Sequence, residues 1–397
     1  MQIYILDSNY DRLGVIEEQE DIVFNKQFCG VGYAALKVAC DSEMLGLLRR
    51  GNYIYRYDDD MLCKIVTPQI DTHVEKGDYL TADAIDMNNI LAGRIVRWEV
   101  VYSGTVAGFI KQLIYENIIN PAQPKRRIEN FEFDDSNFAE FTETITVAKD
   151  TATKDLLQLV ISTCKTYNYG FRVSLNIQTK KLVFRLIKGK NKATTTSTEY
   201  IEFSPNYANI ISSHYKEDES NFKNLAYVGY KTASGETALL SLFTEAEEPQ
   251  GEARQEVYID GTNTSREITL DELKLLYSSV TKEETTYYAT IDGVKTAVAT
   301  SEGAGEEEKI TATDYTYLLL IRIVGLNTLA ERIKTQEFNG EVDTIDTYEY
   351  KKDYNLGDIV LVANEYGISA PAQIVEVTES ESAENPYALE PKFEYIY

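Results

Sequence analysis

Few residues of this chain have the types and spacing that acid–base or nucleophilic chemistry requires. The only histidines among its 397 residues are His73 and His214. A serine-type catalytic site needs a histidine base placed between a nucleophile and an orienting carboxylate. His73 precedes a turn at 76–78, and His214 lies in an alternating segment, so neither has a recognisable catalytic partner. We therefore expect both histidines to be structural and the chain to have no catalytic residues.

Metal and cofactor motifs are also missing from the sequence. Asp58, Asp59 and Asp60 are consecutive and could hold a hard cation, but they lack the spacing and the distal glutamate of a calcium loop. A hairpin turn explains these three residues better. The glycine pair at 30 and 32 lacks the third glycine and the helix of a dinucleotide fingerprint. Carboxylate pairs occur throughout so acidic a chain, so they do not identify a glycosidase. We expect no metal and no cofactor.

Charge and cysteine content limit the possible partners and the cellular compartment of the chain. The formal charge is −25, from 64 acidic against 39 basic residues, which argues against wrapping nucleic acid and is explained by solubility at most positions. The cysteines are too far apart for a metal knuckle and predict reduced thiols in a chain that folds in a cytoplasm. They are Cys29, Cys40, Cys63 and Cys164. Without a basic leader or a long apolar run, we expect no signal peptide and no membrane insertion.

The elements that organise the chain are two similar β-hairpins near its ends. In each, a glycine and a polar residue start an alternating strand, a short polar turn follows, and the return strand carries an Ile-Val pair. The repeat positions are Gly51, Asn52, Ile65 and Val66 in the first copy and Gly357, Asp358, Ile374 and Val375 in the second. The offset is 306 residues at the glycines (357 − 51) and 309 at the isoleucines (374 − 65). Two hairpins that are alike by chance and one small β-domain used twice both explain the pattern.

Length and composition predict several domains in a β-rich chain. A chain of 397 residues exceeds one ordinary core, and its 29 tyrosines, with many Val, Ile and Thr, favour pleated surfaces. Apolar residues at helical spacing predict helices over 106–114, 153–164, 269–280 and 312–335. We expect a first β-domain, a peripheral α/β domain, and a second β-domain split by an inserted α+β module. Their boundaries are 1–98, 99–198, 199–243, 244–335 and 336–397, the third and fifth segments forming the split domain.

Five stretches, taken in order, resemble the tail-tip or baseplate hub proteins of long-tailed bacteriophages, the tail-associated hub domain family. They are residues 3–10, 48–54, 91–96, 203–211 and 353–360. The resemblance covers most of the chain and is weakest over 244–325. It implies a β-rich α+β multidomain fold, with two related tube-like β-domains and two peripheral α/β modules. Some relatives continue into a C-terminal lysin or receptor-binding region, and we expect none after the second β-domain.

The resemblance also implies a function. In that family the hub is a trimer that closes the distal end of the tail tube, and two tube-like domains per chain present a pseudo-sixfold ring to the sixfold tube. It implies a non-enzymatic virion protein, made in the host cytoplasm, with DNA only in transit. Its implied partners are two further copies of itself, distal tail and tail-tube proteins, the tape-measure protein, and a tip fibre or spike.

The acidic turns are our candidates for the wall of a DNA channel, because a negative wall would let DNA slide rather than bind. The candidates are Asp58, Asp59, Asp60 and Glu365. Two alternatives remain open. One is a tail-associated cell-wall hydrolase, and the other is a β-rich carbohydrate-binding or adhesin protein, suggested by the many tyrosines.

Overall fold

The computed structural model describes most of the chain, and all structural statements below concern the described residues. These are residues 1–74, 77–97, 100, 102–147, 154–194, 199–303, 308–342, 348–367, 369–382 and 387–395. The fold is β-rich with several sheets and a few helices, as the composition predicts. The domain boundaries expected at 98 and 198 lie outside the described residues.

The strands are numbered in chain order. Those of the first half are β1 (Ile3–Leu6), β2 (Arg12–Ile16), β3 (Asp21–Gln27), β4 (Tyr33–Ala39), β5 (Tyr53–Arg56), β6 (Met61–His73), β7 (Gly77–Asp86), β8 (Tyr102–Thr105), β9 (Phe131–Asp134), β10 (Thr144–Val147), β11 (Gly170–Asn176) and β12 (Lys181–Ile187). Those of the second half are β13 (Glu202–Phe203), β14 (Ile210–Asp218), β15 (Leu225–Lys231), β16 (Thr237–Phe243), β17 (Glu256–Asp260), β18 (Val280–Glu283), β19 (Thr286–Ile291), β20 (Val294–Glu302), β21 (Lys309–Ala312), β22 (Thr335–Val342), β23 (Ile359–Ala363), β24 (Ser369–Ser382) and β25 (Ala388–Tyr395).

The α-helices are short except for the last. They are α1 (Ser42–Leu47), α2 (Val106–Ile114), α3 (Leu156–Thr166), α4 (Leu270–Leu276) and α5 (Asp314–Ala330). A π-helix at Tyr115–Ile119 extends α2, and a 3₁₀ helix at Met87–Gly93 follows β7. The side chains of Thr105 and Asp155 accept backbone N–H bonds at the starts of α2 and α3, which satisfies donors that a helix leaves unpaired.

One sheet of thirteen strands contains both ends of the chain. Its order is β14-β22-β25-β24-β3-β4-β7-β6-β5-β1-β2, and β13 and β23 join it through β24. The two halves meet where β24 runs antiparallel to β3, from the pair Glu376 and Gln27 to the pair Ser382 and Asp21. The backbone ladder therefore continues from the N-terminal β-region into the C-terminal one.

The alternation of apolar residues fixes which face of each strand is buried. In β4, Ala34, Leu36 and Val38 point inward while their neighbours are more exposed, which is the period of two that a pleated strand requires. These residues belong to the core of the first β-region. A separate core around Phe203 and Phe393 lies within the second β-region.

The 99–198 segment packs two helices on a small sheet. Strands β11, β12 and β9 pair in that order, and the side chains of Phe171 and Phe184 stack between them. Leu113 of α2 and Val160 of α3 lie in the same apolar core as these rings. This core also includes Tyr55 and Leu62 of the first β-region, so the two parts pack together.

The inserted module begins earlier than the sequence suggested. Strands β15 and β16, at 225–243, pair with β17 in a separate three-stranded sheet rather than with the large sheet, so the boundary expected at 243 is wrong. Their inward residues Val228 and Leu242 pack under α5, where a Cβ on Gly325 would lie 2.5 Å from Leu242 Cδ1. Because of this close packing against α5, both strands belong to the inserted module. A four-stranded sheet, β18 to β21, completes it.

Candidate functional site

The two hairpins found in the sequence begin with matching turns. Gly51 and Gly357 both have φ of +96°, a region that glycine enters without steric cost. The N–H of Gly51 donates to the Ile65 carbonyl at 3.1 Å, and that of Gly357 donates to the Ile374 carbonyl at 2.8 Å. In return, the Ile65 N–H donates to the Asn52 backbone carbonyl at 2.8 Å. The Ile374 N–H likewise donates to the carbonyl of the residue after Gly357, at 2.9 Å.

The return strands share a further feature, a β-bulge at the same place. The register of β6 against β7 shifts between Ile65 and Thr67, and that of β24 against β25 shifts between Ile374 and Glu376. The bulged positions are Val66 and Val375, the second residues of the two Ile-Val pairs. The hairpins therefore agree in turn conformation, hydrogen bonds and bulge position.

The side chains that follow the glycines make different contacts. Asn52 Nδ2 donates to the Leu47 carbonyl at 2.8 Å, within the first β-region. Asp358 Oδ1 accepts the N–H of Lys190 at 2.8 Å, and its Oδ2 lies 3.1 Å from Lys192 Nζ. The second turn thus holds the end of the 99–198 segment, which the first turn does not.

Phe28 packs at the meeting point of three regions of the chain. Its ring lies against Gly357, where a Cβ would come within 2.2 Å of Phe28 Cε2, and against Gly170 of β11, where the distance would be 2.4 Å. Its N–H donates to the Val375 carbonyl at 2.8 Å, and its carbonyl accepts the Phe171 N–H at 3.0 Å. The first β-region, the 99–198 segment and the second β-region therefore converge on this one buried residue.

A group of charged side chains, which we call the junction cluster, lies between the same three regions. Its members are Lys26, Arg56, Asp59, Arg172, Lys351 and Glu379. Lys26 Nζ lies 2.5 Å from Asp59 Oδ2 and 3.1 Å from Glu379 Oε1. Arg56 forms an ion pair with the other oxygen of Glu379. Asp59 Oδ1 lies 3.1 Å from Lys351 Nζ and 3.5 Å from Arg172 Nη1.

Most of the junction cluster is shielded from solvent. The Glu379 side chain is 1% exposed, Lys26 4% and Asp59 9%. Buried charges are costly unless each has partners. Burial alone would raise the pKa of Asp59, but Arg172, Lys26 and Lys351 hold that pKa well below its ordinary value. Asp59 therefore stays ionised at neutral pH, and the ion pairs of the cluster join the three regions.

The structure separates the acidic candidates for a channel wall. The Asp59 carboxylate faces the junction cluster, so we no longer count it among them. Asp58 is exposed and pairs with Arg56 at 2.9 Å, and Asp60 accepts a hydrogen bond from the Tyr55 hydroxyl at 2.8 Å. Glu365 is exposed in the turn between β23 and β24.

Five members of the junction cluster were not singled out from the sequence. One signal was available, since Glu379 follows Val377 by two residues on β24 and both are buried. A charged residue at an inward position of a strand indicates a buried partner. Nothing in the sequence indicates that this partner is Lys26, which is 353 residues away.

The backbone places the two histidines on different strands of the described part of the chain. His73 ends β6, and His214 is exposed on β14 opposite Asn339. The described residues contain no group of three or more His, Cys, Asp or Glu side chains arranged to hold a metal ion. Within the same residues, no helix has the length and apolarity that crossing a membrane requires.

Comparison with known protein families assigns this chain to one family. The chain belongs to the family of Siphovirus ReqiPepy6 Gp37-like proteins, a siphovirus tail protein family whose model matches residues 2–393. The resemblance to tail proteins of long-tailed phages is therefore confirmed, and the chain is a phage tail component. No enzymatic family is indicated. A search of curated proteins found no match.

Three solved structures of tail proteins are similar to this chain over nearly its whole length. A tail protein from Neisseria meningitidis MC58 is 11% identical with a TM-score of 0.49, covering 99% of this chain and 96% of that one. Prophage tail protein gp18 from Listeria monocytogenes EGD-e is 13% identical with a TM-score of 0.46, covering 99% and 94%. The 43 kDa tail protein of prophage MuSo2 from Shewanella oneidensis is 8% identical with a TM-score of 0.49, covering 100% and 98%.

Proposed function

We propose that this tail protein is a non-enzymatic, homotrimeric hub at the distal end of the phage tail. In this proposal the two β-regions are copies of one tube-like domain, and three chains present six similar surfaces to a sixfold tube. The opposite side would meet threefold components such as a fibre or spike. The tape-measure protein and distal tail proteins would be the other neighbours.

The observation that carries the proposal is the agreement between the two hairpins. In each, a glycine with φ of +96° donates to an isoleucine carbonyl, and the isoleucine N–H donates back to the carbonyl of the residue after the glycine. The return strand then bulges at the residue after the isoleucine. Chance similarity of two hairpins would not require the same bulge. Family membership supplies the setting, since the family is one of siphovirus tail proteins.

The continuous sheet and the junction cluster suit this role. A symmetry adapter must hold its two ring domains at a fixed angle, because an error in that angle would misplace half of the six surfaces. The ladder between β24 and β3 and the buried ion pairs of Glu379 both cross the boundary between the two β-regions. They provide the stiffness that such an adapter needs.

A channel through the ring would carry DNA in transit during ejection. The chain carries a charge of −25, so a trimer would carry 3 × −25 = −75. Asp58, Asp60 and Glu365 are the exposed turn residues that we assign to its wall. A negative wall repels phosphates and so lets DNA pass without binding.

The test is the mass and symmetry of the purified protein. One chain has a mass of 45.0 kDa, so a trimer has three times that mass, about 135 kDa. Light scattering coupled to size exclusion measures the mass, and electron microscopy of the particle gives its symmetry. A stable monomer both alone and mixed with tail-tube protein would refute the trimer, as would a ring whose six surfaces come from unrelated folds.

A further inference from the structure

A cavity of about 320 Å³ opens beside the junction cluster, where the three regions of the chain meet. Five of the residues that line it are lysine or arginine, and three are aspartate. The lining thus carries two more positive than negative formal charges (5 − 3), in a chain whose total charge is −25. A positive cavity in so acidic a protein is a local feature that solubility does not explain.

The aspartates of the lining are engaged with donors of the chain itself. Asp59 is shared among three cations of the junction cluster, and Asp358 accepts two backbone N–H bonds and pairs with Lys192. Asp86 accepts the Asn88 N–H at the start of a 3₁₀ helix. Asp59 therefore offsets part of the charge of the cations that line the cavity, and the formal excess of two positive charges remains.

The cations have N–H groups left over. The Lys190 side chain is 70% exposed, and its Nζ lies 3.7 Å from Glu199 Oε2. Lys351 Nζ contacts Asp59 at 3.1 Å, and an ammonium has two further N–H groups to offer. The Arg172 side chain is 29% exposed, lines the cavity and presents a planar fork of donors.

The surrounding fold holds the backbone of Lys351 in an unfavourable conformation. Its φ is +71°, a left-handed conformation that is unfavourable for a residue with a Cβ, and its N–H donates to the Tyr354 carbonyl at 2.7 Å. Burial and then the neighbouring Lys26 lower the pKa of Lys351 to about 8, although Asp59 acts in the opposite direction. The fold therefore holds an ammonium where its surroundings disfavour its charge.

We propose that this cavity binds a small oxyanion of the phosphate or sulfate type, held by Lys351, Arg172 and Lys190. Such an anion supplies the negative charge that the lining lacks, and its oxygens accept several charge-assisted hydrogen bonds at once. The volume admits a small anion and excludes a DNA duplex. The proposal does not depend on the trimer.

The experiment measures binding of sulfate and pyrophosphate to the full chain by calorimetry, at constant ionic strength in chloride. Sulfate remains a dianion from pH 6 to 9, so any pH dependence arises from the protein. We expect saturable binding that weakens at least tenfold in Lys190→Ala and in Lys351→Met. The matched control is Lys334→Ala, which removes an exposed lysine paired with Glu219. Sulfate affinity should fall as the pH rises through about 8, because Lys351 loses its proton there.

Three outcomes would overturn the proposal. The first is no saturable binding, and the second is an equal loss of affinity in the control variant. The third is binding of short duplex DNA that depends on Lys190 while pyrophosphate fails to bind, which would make the site a nucleic-acid contact. Lys190 is largely exposed, so its variant should fold even if the Lys351 variant does not.

Discussion

Alanine substitutions at the two equivalent glycines test the account of the repeated turns. Gly51 and Gly357 share a φ of +96°, so alanine is strained to the same degree at both. Their surroundings differ. A Cβ at Gly51 meets nothing within 4 Å, whereas a Cβ at Gly357 lies 2.2 Å from Phe28 Cε2. Comparing the two alanine variants therefore distinguishes the cost of backbone strain from the cost of a packing clash.

The expected magnitudes follow from these contacts. A left-handed conformation costs a residue with a Cβ about 1–2 kcal/mol, and this applies to both variants. Forcing an extra methyl group into a packed site costs about 1–3 kcal/mol more, and this applies only at Gly357. We expect Gly51→Ala to lower the free energy of unfolding by about 1–2 kcal/mol and Gly357→Ala by about 2–5 kcal/mol.

Urea unfolding followed by circular dichroism measures both losses. The double variant Phe28→Ala/Gly357→Ala adds a check, because removing the ring should recover part of the packing cost and give a favourable coupling energy. Equal losses in the two single variants would refute the reasoning. So would a double variant whose loss equals the sum of its parts.

Three further predictions concern ionisable residues and catalytic activity. Glu379→Gln should destabilise the chain by about 3–5 kcal/mol, because it leaves two buried cations without their shared carboxylate. The control Glu381→Gln, at a partly exposed ion pair, should cost about 1 kcal/mol or less. Thermal unfolding of the two variants compares these losses. Burial raises the pKa of Asp86 from 3.8 to about 6, so its contribution to stability should fall by roughly 3 kcal/mol as the pH rises from 4 to above 6. Asp86→Asn should remove this pH dependence, and an unchanged slope would contradict the assignment. The chain should not clear cell walls on a zymogram, and His73→Ala and His214→Ala should change stability at most; histidine-dependent clearing would establish an enzyme.

The hairpins could be predicted from the sequence because their signals are local. Gly51 and Gly357 each precede an alternating run, and the turn at Asp292 and Gly293 has positive φ at both residues, as an Asp-Gly turn requires. Helix ends were less predictable. The helix expected over 269–280 ends at Leu276, because the chain enters β18 at Val280.

The junction could not be predicted because its contacts are distant in sequence. Lys26 and Glu379 meet only after β24 has paired with β3, and Arg172 reaches Asp59 from a different region. The assignment of 225–243 to the second β-region failed for the same reason. The alternation in a strand shows which of its faces is buried, but not which sheet the strand joins. Strand β15 lies in the sheet of the inserted module, where its inward residues pack against α5.

The ion pairs across β3 and β24 have a role that apolar residues could not fill. Side chains alternate with a period of two, so shifting β24 by two residues along β3 would keep its apolar face inward. Hydrophobic burial therefore distinguishes poorly between the two registers. The shift would move Glu379 about 7 Å, at roughly 3.4 Å per residue, and would separate it from both Lys26 and Arg56. Because an unpaired buried charge costs several kcal/mol, the cluster penalises the shifted register and holds the two β-regions in one relative position.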